Sequence, residues 1–120
     1  MIVAGFGFRA AATRDSLNDA LICAGGRADL FATAANKATT SEMVLFAASH
    51  SVRVVGVADA VLAMQTTFTT SQASQTARNI GSVAEAAALA AAGPGAILLA
   101  PRVVSSDRMA TCALAKGDSA

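Results

Sequence analysis

Residues 80–93 have the sequence Ile-Gly-Ser-Val-Ala-Glu-Ala-Ala-Ala-Leu-Ala-Ala-Ala-Gly, the longest alanine-rich segment of the chain. Ser82 and Glu85 stand three residues apart, as in a capping box, where the serine oxygen accepts the glutamate N–H and the carboxylate accepts the serine N–H. Gly93 follows as a left-handed stop, and Pro94 prevents continuation. The segment therefore predicts a capped helix with almost no side chain beyond Cβ, which can lie very close to another surface.

Short apolar runs alternate with helical patterns along the rest of the chain. Strands are predicted at residues 1–4, 30–35, 52–57, 96–100 and 109–115, and helices at 13–24, 39–50, 59–64 and 71–78. This alternation predicts an α/β fold, a three-layer α/β/α sandwich around a five-stranded, mostly parallel sheet. The connection at 102–108 is too short for a parallel crossover, so we expect the last strand to be antiparallel, at an edge or beside the fourth strand.

The composition limits the classes of function. The chain has 120 residues, which suits a single domain over 1–120 with a frayed tail at 116–120. Its net charge is +1 without a basic cluster, which argues against nucleic-acid binding. Glu85 and residues 93–95 interrupt the most apolar stretch, and no charged region precedes the apolar start, so we expect a cytoplasmic protein without a membrane segment. One histidine and two distant cysteines predict no metal site, and no cofactor is predicted.

Small and basic residues follow the predicted strands, where open α/β sheets bind their ligands. An anion-binding site is therefore predicted, with the candidate residues Gly5, Gly7, Arg9, Lys37 and Arg102, together with Gly81 and Ser82 at a helix N-terminus. The alternative is that the cations are ordinary surface charges. Gly5-x-Gly7-x-x-Ala10 also matches a loose dinucleotide fingerprint, but the second strand does not end in the acidic residue that holds a ribose. Nucleotide binding is therefore the weaker alternative.

Glu42 and Glu85 are the candidate catalytic carboxylates. Thr39 and Glu42 repeat the spacing of Ser82 and Glu85, so both glutamates are interpreted first as capping-box residues. A carboxylate at a helix N-terminus is also held ionised by the helix dipole, which suits a general base. Ser82 has no His or Lys partner close in sequence, and the one histidine, His50, lies at a helix end, so a Ser-His-Asp hydrolase is not supported.

Four segments in order resemble the cobalamin-biosynthesis family that comprises free-standing CobE and the C-terminal domain of CbiG. They are Gly5-x-Gly7-x-Arg9, Ala32-Thr-x-x-x-Lys37 with Glu42 following, Gly81-Ser-Val-Ala-Glu-Ala-Ala-Ala-Leu89, and Thr111-Cys-Ala-Leu-Ala115. The chain has Ala10-Ala11 where the family usually has a second basic residue and a glycine. It has Arg102 where the family often has lysine, which keeps the charge and changes the donor geometry.

The resemblance implies a role in building the corrin ring. CbiG-type proteins open the ring-A lactone of cobalt-precorrin-5A and release acetaldehyde, so the expected function is binding or hydrolysis of a precorrin or corrin intermediate. Arg9, Lys37, Gly81-Ser82 and Arg102 would then hold its carboxylates, with Glu85 or Glu42 activating water. The alternative is a non-catalytic carrier that serves a precorrin methyltransferase or another enzyme of the pathway. The alanine-rich helix also suits a homodimer face.

Overall fold

The computed structural model describes residues 1–67 and 82–117, in which helices pack on both faces of a six-stranded mixed sheet. Along the chain the elements are β1 (Ile2–Phe8), α1 (Arg14–Ala24), β2 (Leu30–Ala34), α2 (Ala35–Ala38), α3 (Ser41–His50), β3 (Val54–Val57), α4 (Asp59–Ala63), α5 (Val83–Ala92), β4 (Ile97–Leu98), β5 (Val103–Val104) and β6 (Ala110–Lys116). The predicted α/β class is confirmed, but the sheet is mixed and not mostly parallel, because β6 pairs antiparallel with β1, β4 and β5. None of the helices in these two ranges is long and apolar enough to cross a membrane.

The sheet has the strand order β3-β2-β1-β6-β4, and β5 also pairs with β6. The first three strands are parallel, whereas β6 runs antiparallel to β1 over its whole length, from Ile2 opposite Lys116 to Phe8 opposite Ala110. The predicted antiparallel direction of the last strand and its position beside β4 are confirmed. The alternative position at an edge is wrong, because β6 lies inside the sheet between β1 and β4.

Six strands form instead of the predicted five, because the edge segment that pairs with β6 is interrupted and forms two short strands. Leu98 pairs with Ala115, and Val103 pairs with Cys112. Between these two pairs the edge segment advances by five residues, whereas β6 advances by three. Two extra residues must leave the plane of the sheet, as in a bulge. Residues 99–102 therefore form an edge bulge, with β4 before it and β5 after it.

The alanine-rich helix α5 lies directly on β1. β1 continues to Phe8 instead of ending at residue 4, so Gly5 and Gly7 belong to a strand and the predicted glycine loop is wrong. A Cβ on Gly5 would come within 2.0 Å of the Ala84 carbonyl oxygen and 2.5 Å of the Ala88 nitrogen. The close approach expected of this helix is confirmed, and it requires glycine on the strand beneath.

The opposite face of the sheet carries an aromatic core under α1 and α3. The ring centroids of Phe6, Phe31 and Phe46 lie 5.0–5.3 Å apart, with Phe31 and Phe46 stacked and Phe6 edge-on to both. Leu17 and Met43 pack with them and are fully buried. Side chains alternate along β1, so Phe6 points into this core while its glycine neighbours face α5.

The remaining differences from the prediction are local. Thr13 caps α1 as expected, and its side chain accepts the Ser16 N–H. The chain turns into α2 directly after β2, although no helix was predicted there. Lys116 and Gly117, expected in a frayed tail, are tied down, because β6 includes Lys116 and Gly117 N–H donates to Met1 O at 2.9 Å. The predicted helix 71–78 lies outside the described residues.

Candidate functional site

The carboxyl ends of the three parallel strands and the start of α5 meet at one side of the sheet. Gly7, near the end of β1, faces Val83 in the first turn of α5, whereas Ala92 at the other end of the helix covers Gly117 beside Met1. Thus α5 runs opposite to β1, and its N-terminus lies beside the ends of β1, β2 and β3. We call this side of the sheet the carboxyl edge.

One predicted cation lies over an aromatic ring at the carboxyl edge, and a second follows that ring in the chain. The Lys37 ammonium lies 5.1 Å from the centre of the Phe8 ring, a cation–π distance, and Arg9 follows Phe8 directly. Arg9 is exposed, and its N–H donates to Met109 O at 2.9 Å, which fixes its backbone to the start of β6. The structure therefore places Lys37 over Phe8, a residue that was not predicted as part of the site, and Arg9 is the next residue after Phe8 in the chain.

Arg102 belongs to a second group, with Glu85 and Ser82. The Arg102 N–H donates to Glu85 Oε2 at 2.8 Å, and Ser82 Oγ accepts the Glu85 N–H at 3.3 Å. Glu85 and Ser82 are fully buried, with 0% of each exposed. The serine half of the predicted capping box is confirmed. The carboxylate reaches across to the edge bulge, a tertiary contact that residue spacing within the helix does not reveal.

The sheet separates these two groups. Phe8 packs with the aromatic core on the α1 and α3 face, whereas Ser82 and Glu85 lie on α5, on the opposite face. Gly5 is buried beneath α5, and Gly7 faces Val83 and Thr111, so the position of both glycines is explained by helix packing. Gly81 lies outside the described residues. Contact of any of these residues with a ligand stays a prediction.

Glu42 caps a different helix from the one predicted. Its carboxylate accepts the Arg14 N–H at 3.0 Å and so satisfies a free amide in the first turn of α1. The N-cap of α3 is Thr40, which makes no side-chain cap bond, and Thr39 is the C-cap of α2. The capping box at 39–42 is therefore wrong, because the unpredicted α2 already uses Thr39.

A cluster of hydroxyls and carboxylates joins α1 to the connection between β5 and β6. Asp107 accepts the hydroxyls of Ser105 and Ser16, and Asp19 accepts the N–H and hydroxyl of Ser106. The Ser105 hydroxyl bond, followed by that from Ser16, lowers the pKa of Asp107, and the Ser106 bonds lower the pKa of Asp19. The Ser-Ser-Asp sequence at 105–107 is the signal for this cluster, and no site was predicted there.

A cavity of about 420 Å³ lies at the other end of α5, away from the carboxyl edge. It is lined by residues 64–66, Leu89 and 93–98, none of which is charged. Its position disagrees with that of the predicted site. Its described lining offers no cation to an anionic ligand, and a site at the carboxyl edge stays a prediction.

No metal centre is found in the described part of the chain. Residues 1–67 and 82–117 contain no group of three His, Cys, Asp or Glu side chains that could hold an ion. Cys23 is exposed and Cys112 is buried, and both are free thiols. Burial raises the pKa of the Cys112 thiol well above its usual range, so this sulfur is suited to packing and not to nucleophilic attack.

An α/β domain with a cationic edge defines only a broad class, and comparison with known proteins narrows it. The sequence profile of the cobalamin synthesis G C-terminus family matches residues 2–115. The chain therefore belongs to this family, as the sequence resemblance implied, and is a cobalamin biosynthesis protein of the CobE and CbiG C-terminal type. Among curated proteins, no sequence matches the chain significantly.

Solved structures agree with this assignment. CobE, a protein from the cobalamin (vitamin B12) biosynthetic pathway, is 28% identical, with a TM-score of 0.81 over 96% of this chain and 89% of that chain. The cobalamin biosynthesis protein chiG from Agrobacterium tumefaciens str. C58 is 33% identical, with a TM-score of 0.74 over 99% of this chain and 100% of that chain. A cobalamin biosynthesis protein G homolog from Sulfolobus solfataricus shares the fold at 20% identity, with a TM-score of 0.67 over 95% of this chain and 36% of its own.

Proposed function

We propose that this protein binds a precorrin or corrin intermediate of cobalamin biosynthesis at the carboxyl edge. The observation that carries the proposal is that Arg9 follows β1 directly and that Lys37, in α2 just after the neighbouring strand β2, holds its ammonium over the Phe8 ring. Family membership supplies the class of ligand. Arg102, half-buried in the edge bulge, adds a third cation, whose backbone N–H is bound to Glu85 of α5.

The chemistry of the ligand class suits these groups. Precorrins carry several acetate and propionate side chains around a flat macrocycle, so they need several cationic contacts spread over a wide surface. A guanidinium can hold a carboxylate through two parallel hydrogen bonds, whereas an ammonium acts as a point charge. Phe8 is half-buried, and its ring offers apolar surface next to both kinds of donor.

The geometry favours a carrier over a lactone hydrolase. Both candidate catalytic carboxylates accept backbone N–H groups of other segments, Glu42 from Arg14 and Glu85 from Arg102. Glu85 is also fully buried, whereas a general base must come within hydrogen-bond reach of the proton that it removes. We therefore propose that the protein holds the intermediate for another enzyme of the pathway, which corresponds to the carrier hypothesis.

Nucleotide binding loses its structural basis. The dinucleotide fingerprint places its glycines in the turn between a strand and a helix, where the backbone approaches the phosphates. Here Gly5 and Gly7 lie within β1 and face α5, and α1 begins only at Arg14.

The first test measures binding of a carboxylate-rich corrin. Dicyanocobyrinic acid is titrated against the protein by visible absorbance, beside its methyl ester, in which the carboxylates are blocked. We expect the acid to bind and the ester to bind at least about tenfold more weakly, because each hydrogen bond to a charged group contributes about 1.5–3 kcal/mol. Affinity for the acid should also fall with added salt. Equal binding of acid and ester would contradict the cationic site.

Matched substitutions locate the site on the surface. Lys37→Ala should weaken binding of the acid about tenfold, because it removes one charge contact at the carboxyl edge. Lys116→Ala removes the same charge at the opposite end of the sheet, where Lys116 pairs with Ile2, and should change the affinity less than about twofold. Equal losses for the two variants would mean that net charge alone is responsible.

Turnover is tested separately. We expect cobalt-precorrin-5A to stay intact with this protein alone, with no acetaldehyde released and no change in the mass of the lactone. Release of acetaldehyde that depends on Glu85 would overturn the carrier proposal in favour of the lactone hydrolase.

A further inference from the structure

The edge bulge at 99–102 is joined to α5 by one buried carboxylate. Two extra residues leave the plane of the sheet between Leu98 and Val103, and the Arg102 N–H at the end of the bulge donates to Glu85 Oε2 at 2.8 Å. Glu85 is fully buried in the first turn of α5. Loss of this acceptor would leave the Arg102 N–H without its partner in a partly buried position, which costs free energy.

The elements on both sides of this bond are held in place. The first turn of α5 is capped by Ser82, whose Oγ accepts the Glu85 N–H, and its Ala84 packs against Gly5 of β1. After the bulge, the chain rejoins the sheet where Val103 pairs with Cys112. Glu85 thereby holds the Arg102 backbone in a fixed position relative to the centre of the sheet.

We infer that Glu85 is a positioning residue. It fixes the Arg102 backbone, so that the guanidinium is already ordered when the ligand binds. The inference rests on the proposed function and assigns Glu85 a different role from the general base considered at first. A binding site whose donors are already ordered loses less conformational entropy on association, so it binds more tightly. In this role Glu85 needs a side chain long enough to accept the Arg102 N–H. It does not need to bring a negative charge to the reacting atoms of the ligand.

Two substitutions of Glu85 separate the effect of side-chain length from that of charge. Glu85→Gln keeps the length of the side chain and an oxygen acceptor, whereas Glu85→Asp keeps the charge and withdraws the oxygen by one methylene. With dicyanocobyrinic acid as the probe, we expect Gln to keep the affinity within about twofold and Asp to lower it about fivefold, the loss that re-ordering one side chain produces. The opposite ranking would overturn the inference.

A double-mutant cycle tests whether Glu85 acts through Arg102. Glu85→Asp should weaken binding about fivefold in the natural background and less than about twofold when combined with Arg102→Ala, because the Ala variant keeps the backbone N–H but has no guanidinium to position. Equal losses in both backgrounds would show that Glu85 acts independently of Arg102 and would overturn the inference.

A control carboxylate measures the general effect of losing such a bond. Asp29 Oδ2 accepts the Ile2 N–H at 2.8 Å near the start of β1, at the opposite end of the sheet from the carboxyl edge. Asp29→Ala should leave the affinity for the probe within about twofold. A loss as large as that of Glu85→Asp would assign the effect to stability and contradict a positioning role.

Hydrogen exchange tests the bulge without any ligand. The Arg102 amide should exchange at least about tenfold faster in Glu85→Asp and close to the natural rate in Glu85→Gln, because only the Asp variant loses the acceptor. Unchanged exchange in the Asp variant would overturn the positioning role. If the natural protein fails to bind the probe while the exchange pattern holds, the proposed function fails and Glu85 fixes the bulge only.

Discussion

The two faces of the sheet are closed by opposite means. Under α1 and α3, the space is filled by three phenylalanine rings that pack edge-on and stacked. Under α5 the space is nearly abolished, because glycines in β1 face alanines of the helix and the two backbones come together. Packing on one face depends on the volume of the side chains, whereas packing on the other face depends on the absence of side chains between the two backbones.

The difference decides where each face tolerates change. A ring core loses contacts when a side chain becomes smaller, and the cost depends on how far its neighbours can collapse. A glycine–alanine contact fails when a side chain becomes larger, because backbone atoms cannot rotate away. Glu85 lies on the tightly packed face, so the bond that holds the edge bulge is part of a surface with little room to adjust.

The largest effect is expected from a side chain at Gly5. Gly5→Val places a Cβ 2.0 Å from the Ala84 carbonyl oxygen, so α5 must leave the sheet. We expect a loss of about 5 kcal/mol or more in the free energy of unfolding, measured by urea denaturation, or no folded protein. Gly7→Ala is the control. Its Cβ meets the Thr111 hydroxyl at 2.9 Å, which a side-chain rotation relieves at a cost of about 1 kcal/mol. Equal losses would contradict the backbone contact.

A somewhat smaller effect is expected on the ring face. Phe46→Ala removes a fully buried ring that touches both Phe6 and Phe31, and should cost about 3–5 kcal/mol. Phe46→Leu keeps most of the volume and should cost less than about 1.5 kcal/mol. Urea midpoints of the two variants check the ranking, and an Ala variant as stable as the Leu variant would show that the three rings do not form the core of this face.

The smallest effect is expected from acid, at the cluster that joins α1 to the β5–β6 connection. The hydroxyl and amide donors lower the pKa of Asp19 and Asp107 below the ordinary value of 3.8 in the folded state. Their contribution is therefore present above the unfolded pKa and is lost as the pH falls through the folded pKa. Stability of the natural protein should fall below about pH 4, and the variant with Asn at both positions should show a shallower fall. Identical pH profiles would exclude this cluster as a source of acid sensitivity.

Much of the fold follows from patterns within single elements. The cap at Thr13, the alanine-rich helix after Ser82 and the antiparallel direction of the last strand each depend on neighbouring residues or on the length of one connection. The placement of β6 between β1 and β4 does not, because it is decided by pairing between distant segments. Gly5 and Gly7 resembled a loop, since glycine in a strand is explained only by the helix above it.

The candidate site was predictable in its charge but not in its arrangement. Arg9, Lys37 and Arg102 were identified as strand-end cations, and the sequence carried no sign that the sheet separates the first two from the third. Glu42 and Glu85 have the same local spacing, yet each sends its carboxylate to an amide of another segment. A first-turn glutamate indicates an acceptor, and only the packed structure shows which donor it meets.

The central position of β6 determines the order in which the sheet can be completed during synthesis. The Thr111 hydroxyl donates to the Gly7 carbonyl oxygen across 104 positions of sequence, and β6 supplies one of the two neighbours of β1. A nascent chain that has reached α5 therefore carries a β1 with one open edge, a template for pairing with another chain. Such long-range pairing also slows folding, so release of β6 from the ribosome is expected to be the step that commits the chain to its own sheet.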